Sequence, residues 1–231
     1  MKILASSLEP GHNEPMNQYP PIPGATGTVF REFDAHLFDK LDGVNLRWAW
    51  RAGSGWSKQG TRTRLFDASD PDFGPAIGLF RERLAEPLAR IATKARWQSL
   101  LVFTEYCGPH SFVGLTPPGD PMDLAVFDAA PDGGDLLGPS DFRRAFEDRV
   151  LTPAYLGSAR WTRGLVERIR RGDLEGITFE GVVGKAEATT SDRRAGRDRF
   201  GLILAKAKTT AWIEKVRSLH DPETARRILE S

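Results

Sequence analysis

The apolar runs of this 231-residue chain are repeatedly broken by charged residues at points where a strand would otherwise be buried. Phe103, Thr104, Glu105, Tyr106, Cys107 and Gly108 close one run on a carboxylate, and Phe127 with Asp128 closes the next. Glu180, Gly181, Val182, Val183, Gly184 and Lys185 follow, and then Ala205, Lys206, Ala207 and Lys208. A charge inside an apolar strand is expensive to bury unless it meets a ligand or an opposite charge. The four segments, with a lysine at position 40 ahead of them, ask for one explanation.

The elements between these segments give the fold class. Residues 10–27 hold five prolines and no apolar period, which predicts an extended N-terminal segment over 1–28, lying on the surface, with order beginning near Val29. Lys40, Leu41, Asp42 and Gly43 sit at a loop-to-strand boundary, and aromatic and branched residues after the glycine predict a strand to Trp50. A turn at 53–55 and a returning strand over 61–66 follow. Apolar residues at Ile77, Phe80, Leu84, Leu88 and Ile91 have helical spacing and predict one long helix over 75–95. Buried strands are expected at 100–106 and 124–129, separated by a loop rich in Gly and Pro, then helices at 142–149 and 161–171, the second stopped by Gly172. Strands at 181–186 and 200–207, joined by a charged stretch over 189–198, lead into helices at 210–219 and 222–229. Without regular alternation of strand and helix, the class is α+β rather than a doubly wound sheet.

Composition narrows the function classes. Lysine and arginine number 32 against 31 acids, a formal charge of +1, so a nucleic-acid surface would have to be a local patch. One such patch is Arg193, Arg194, Arg197 and Arg199, for which a solvated loop is the equal alternative. The single cysteine, Cys107, excludes an internal disulfide framework and has no supporting histidine. His12, His36, His110 and His220 are scattered and form no zinc-site spacing. Residues 1–8 are too short and too weakly apolar for a signal peptide, and no membrane-spanning run is present, so a reducing cytoplasm is expected.

The ordered set resembles the covalent lysine nucleotidyltransferases, the superfamily of ATP-dependent DNA ligases, RNA ligases and mRNA capping guanylyltransferases, from Lys40 to Lys208. The resemblance implies a nucleotidyltransferase (ATP-grasp-like) domain of antiparallel sheets flanked by helices over 29–208, with a short helical extension over 209–231. It makes Lys40 the residue that becomes adenylated, with Asp39, Asp42 and Gly43 around it. Glu105 would contact the ribose, Phe127 would stack on the base, and Glu180 would help bind metal. Lys206 and Lys208 would hold the α-phosphate, and Lys185 closes the motif that Glu180 opens. ATP and Mg²⁺ or Mn²⁺ are the implied cofactors.

Physical chemistry bears on these roles independently. Lysines spaced by one residue on a strand share a face, so Lys206 and Lys208 can converge on one phosphate. An attacking lysine must be neutral, and the cations Lys206 and Lys208, a metal and partial burial are expected to lower the Lys40 pKa. Phosphoryl transfer needs positive charge around developing oxyanions and a carboxylate-held divalent ion. The bland alternatives are a solvated strand face for the two lysines, ordinary core for Phe127, and paired surface carboxylates for Glu105 and Glu180. Trp48, Trp50 and Trp56 read as packing.

Within the superfamily, Asn45, two residues after Gly43, looks like the phage-type RNA ligases, whereas DNA ligases usually have arginine there. Those RNA ligases carry an arginine on the following strand, for which Arg62 and Arg64 are both candidates, Arg64 having the strand context. Asp42 is retained as in DNA ligases and capping enzymes, which keeps a minimal DNA ligase in play beside a non-catalytic nucleotide- or RNA-binding relative. The 23 residues after Lys208 read as helix and cannot hold the OB barrel that DNA ligases and capping enzymes usually append. The expected partner is RNA with 5′-phosphate and 3′-hydroxyl ends, and no membrane.

Overall fold

The structure is a computed structural model that describes residues 16–25, 30–109 and 121–230, the last by its backbone. The segment 1–8, His12, Val29, His110 and most of the Gly- and Pro-rich loop lie outside the described residues.

Two four-stranded antiparallel sheets, flanked by helices, form the α+β body expected. The first has the order β6 (Tyr155–Trp161), β1 (Phe33–Lys40), β7 (Gly181–Glu187), β8 (Leu202–Lys208). The second has the order β3 (Gly55–Thr61), β2 (Gly43–Arg51), β4 (Ser99–Cys107), β5 (Asp123–Pro131). Consecutive strands β1 and β2 belong to different sheets, so Leu41 and Asp42 carry the chain from one to the other. Lys40 therefore ends a strand rather than leaving a loop. Gly43 is required by packing: a Cβ there would lie 2.5 Å from the Tyr106 carbonyl oxygen and 2.9 Å from Glu105 Cγ.

Each sheet buries its outer face against helices. Leu46, Trp48, Trp50, Leu100, Val102 and Val126 of the second sheet join α1 (Gly74–Arg83), α2 (Ala85–Ala95) and α3 (Pro139–Phe146) in one core. Ala35, Leu37, Val182, Ile203 and Ala207 of the first sheet pack on Leu165, Val166 and Ile169 of α4 (Arg163–Arg171). A third cluster, with Tyr19, Phe103, Ala130, Leu202 and Leu204, lies between the sheets. A fourth joins α6 (Thr210–Leu219) to α7 (Pro222–Glu230) through Trp212, Val216, Ala225 and Ile228.

Several sequence expectations are corrected. The long helix over 75–95 is two helices that part at Leu84. Pro87 has no N–H and would strike the Arg83 carbonyl in a continuous helix; the break places it in the first turn of α2, where a donor is not needed. The strand expected over 61–66 is instead β3, ending at Thr61, with Arg62 and Arg64 in the turn beyond it. Trp161 ends β6, an unexpected strand, and α4 starts after Thr162, whose hydroxyl accepts from Leu165 N. Gly172 closes that helix in the left-handed conformation, as expected. The charged stretch contains α5 (Thr190–Arg194), opened by a capping box between Thr189 and Asp192. The N-terminal segment does not simply lie on the surface, because Tyr19 and Pro20 are buried. No helix among the described residues is long and apolar enough to cross a membrane.

Candidate active site

A cavity of about 480 Å³ opens between the sheets, lined by Lys40, Glu105, Phe127, Glu180, Lys206 and Lys208 among others. The antiparallel register explains the convergence at its charged end. Lys40 of β1 and Lys208 of β8 both lie opposite Gly181, and Lys206 lies opposite Val183. Cross-strand partners share a face, so all three lysines point the same way. Lys40 Nζ is 2.9 Å from Glu180 Oε1, and Lys208 Nζ is 3.5 Å from the same oxygen. Adjacent Asp39 points to the other face, where its carboxylate accepts from Thr178 N and Oγ1 at 3.0 and 2.6 Å. Asp39 thus fastens the segment leading into Glu180 and is also among the residues that line the cavity.

The C-terminal helices take part in this end. Lys208 Nζ donates to the Ile228 carbonyl at 3.2 Å and sits 4.3 Å from the Trp212 ring centroid. Trp212, fully buried, donates from Nε1 to Asp42 Oδ1 at 3.1 Å. Thr209 caps α6 by accepting from Trp212 N and donates to the Phe179 carbonyl, which ties the helix start to the Glu180 segment. Sequence reasoning missed Trp212. The available signal was the Thr209 cap directly after the paired lysines, which fixes where a residue three positions on must point.

Electrostatics here differ from expectation. Burial pulls the Lys40 pKa down, but Glu180, Glu105 and Asp42 outweigh it, and the amine is held charged. The depression expected of Lys40 falls instead on Lys206, to about 8, from burial and from repulsion by Lys208 and Lys40. Lys208 is lowered by burial despite Glu180. Burial pushes the Glu105 carboxyl up to about 8, against the pull of Lys40. The free site is therefore poised around acids that keep Lys40 protonated.

Asn45 faces Glu105 across β2 and β4, and its buried Oδ1 has no hydrogen-bond partner among the described residues. Both line the cavity, leaving an acceptor and a protonatable carboxyl side by side. Arg64 is ion-paired with Asp70 and lies over Phe73. Arg62 is the arginine whose charge reaches Lys206. The strand context that favoured Arg64 does not exist.

The other end is aromatic. A bulge in β5 opposite Phe103 and Thr104 leaves Phe127 as the extra residue, so that Phe127 and Asp128 both turn inward. Lys185 Nζ is 2.8 Å from Asp128 Oδ2 and donates to the Phe127 carbonyl at 2.8 Å. With 5% of its side chain exposed, Lys185 joins the sheets, and its ammonium is bonded to Asp128 and to the Phe127 carbonyl where the residue lines the cavity. Cys107 is partly buried, and burial pushes its thiol up to about 12, which makes it inert as a nucleophile. The arginine stretch is partly neutralised: Arg193 pairs with Asp135, and Arg197 shares Asp192 with Arg31.

No family model matches the chain, and no curated protein matches it in sequence. Solved structures do. An RNA ligase of Naegleria gruberi, a mutant with ATP and Mn, matches with TM-score 0.56 and 15% identity over 80% of this chain and 51% of its own. A putative ATP-dependent DNA ligase from Aquifex aeolicus gives 0.57 and 18% over 93% and 58%. An archaeal ATP-dependent RNA ligase gives 0.59 and 14% over 93% and 56%. The chain shares the fold of the matched part of these ligases and spans little more than half the length of each.

Proposed function

We propose that this chain is the adenylyltransferase module of an ATP-dependent RNA ligase, which carries AMP on Lys40, passes it to an RNA 5′-phosphate and seals that end to a 3′-hydroxyl. The observation that carries the reading is the convergence of Lys40, Glu180, Lys206 and Lys208, from three places in the chain, on one end of a cavity with Phe127 at the other. Lys40 and Lys208 share the Glu180 carboxylate with Lys206 beside them, so three ammonium groups that repel one another face the place a polyphosphate would take.

The donor set suits a divalent ion of the magnesium type. Among the described residues there is no cluster of three or more His, Cys, Asp or Glu, but such an ion needs only one or two carboxylates when phosphate oxygens and water complete its shell. Glu180 would hold it, and when bound it would supply charge to the α-phosphate oxygens. Neutralising Glu180 also removes the largest acid contribution holding Lys40 protonated, so that burial then works against Glu105 and Asp42 alone.

In the first step Lys40 gives its proton to water, its nitrogen forms a bond to the α-phosphorus of ATP, and the bond to pyrophosphate breaks. Lys206 and Lys208 stabilise charge on the phosphate oxygens. Asn45 and Glu105 would bind the ribose hydroxyls, and Phe127 would stack on the base. Next, the RNA 5′-phosphate oxygen attacks phosphorus and frees Lys40; finally the 3′-hydroxyl attacks the 5′-phosphate and AMP leaves.

Asn45 favours RNA, whereas Asp42, held by Trp212, keeps a minimal DNA ligase as the second reading. Incubation with ATP and Mg²⁺, followed by sealing assays on nicked duplexes whose 3′-hydroxyl strand is RNA or DNA, decides between them. Faster sealing of the RNA strand is expected; preference for DNA establishes the second reading, and a chain that binds ATP without forming an adduct is a non-catalytic relative.

A further inference from the structure

The aromatic end of the cavity has a wall that the roles above do not use. Residues 16–25 run across both sheets and are fixed at three points. The Arg47 guanidinium of β2 donates to the Met16 carbonyl. Ala25 N donates to the Lys206 carbonyl at 3.0 Å and Lys206 N to the Pro23 carbonyl at 3.1 Å, so the segment adds a short parallel bridge to the edge of β8. Between these anchors Tyr19 drops inward. It is 6% exposed, and its ring meets Phe127 edge-on at 4.9 Å and Phe103 at 5.1 Å. Its hydroxyl donates to Asp128 Oδ2 at 2.5 Å, the carboxylate that also holds Lys185. Tyr19, Pro20 and Ile22 line the cavity beside Phe127.

We propose that residues 16–25 form a fixed strap walling the base end of the nucleotide site, and that Tyr19 is a positioning residue which sets the Phe127 ring for stacking. The inference rests on the nucleotide reading of the cavity. Phe127 sits on a bulge, where the backbone ladder gives it less support than its neighbours have. Its ring is held from the side by Tyr19, and its carbonyl by Lys185. Both holders meet at Asp128. Loss of Tyr19 should therefore loosen the ring without touching the lysines at the charged end.

The test is a double-mutant cycle on ATP affinity, read by calorimetry in the full chain and separately from adduct formation. Tyr19→Ala should weaken ATP binding roughly threefold to tenfold, the range set by an aromatic contact. Tyr19→Phe, which keeps the ring and loses the hydroxyl, should have a smaller effect in the same direction and serves if the alanine variant does not fold. In a Phe127→Ala background either substitution should change affinity less than about twofold, because residues acting through one contact are not additive. The rate of Lys40 adenylylation at saturating ATP should stay within about twofold of the parent. Additive losses of affinity, or a fallen saturating rate with unchanged affinity, overturn the proposal. An ATP-binding wild type that forms no adduct overturns the ligase reading alone and leaves the cycle readable; a chain with no ATP affinity overturns both.

Discussion

The two ends of the cavity are built from the same residue types and use them oppositely. At the aromatic end, Lys185 has one carboxylate, one carbonyl and three rings around it, and Tyr19 completes the set. At the other, Lys40 and Lys208 share the single carboxylate of Glu180, with Lys206 close enough to be depressed by both. A buried lysine with its own acid is part of the scaffold. Lysines that crowd one another, as Lys40, Lys206 and Lys208 do, store repulsion that an anion relieves, and this makes the second end the chemical one.

The sharpest way to break that contrast is at its chemical end. Glu180→Ala and Lys208→Ala should fold and lose Lys40 adenylylation by about a hundredfold or more, the scale for removing one group that stabilises transferred charge. Parent rates in both variants, at matched Mg²⁺, would show the two ends to be equivalent.

At the scaffold end the effect should fall on stability. Lys185→Met leaves the buried Asp128 carboxylate with Tyr19 alone and should cost about 3 kcal/mol in denaturant unfolding, the scale for breaking a buried pair. Adding Asp128→Leu should recover much of that loss, because the penalty is the stranded charge. A neutral Lys185→Met would place the lysine among the ligand-binding groups.

A gentler probe uses pH. Glu105 titrates at about 8 in the folded chain against an ordinary value near 4.5. The unfolded chain releases this proton first, so the folded state loses stability as pH rises through that window. Glu105→Gln removes the loss, and its thermal midpoint relative to the parent should climb between pH 5 and 8. A gap independent of pH would mean that Glu105 is solvated.

How legible this was from sequence depends on the range of the interaction. Lys40, Glu180, Lys206 and Lys208 were readable because each charge sits in or at the edge of an apolar run, in an order that resembles the nucleotidyltransferases. Their juxtaposition needed the register that sets Lys40 and Lys208 opposite Gly181. The assignment of Lys185 to the nucleotide could not be checked locally, since its acid lies 57 residues earlier on the other sheet. Tyr19 looked like part of a proline-rich surface tract, because nothing near it in sequence reveals a pocket at Phe103 and Phe127. Strand β6 escaped because its alternation is interrupted by Gly157 and Ser158, and the Lys40 pKa was misjudged because the counted neighbours were cations, while Glu180, Glu105 and Asp42 raise it.

The smallest expected effect concerns the nucleic-acid surface. With Arg193 and Arg197 already paired to Asp135 and Asp192, replacing Arg193, Arg194, Arg197 and Arg199 by alanine should slow RNA sealing modestly, leave adenylylation intact and flatten the salt dependence of binding. An unchanged salt slope would assign the stretch to the scaffold.

The central claim is that the end where Lys40 and Lys208 share Glu180 is a covalent adenylylation site. The direct measurement is intact mass and peptide mapping after incubation with ATP and Mg²⁺, for the wild type, Lys40→Ala and Lys40→Arg. The account predicts one adenylyl group per chain, located on Lys40 and absent from both variants, since alanine lacks the amine and arginine stays protonated. An adduct on another residue, or full labelling of either variant, would contradict it.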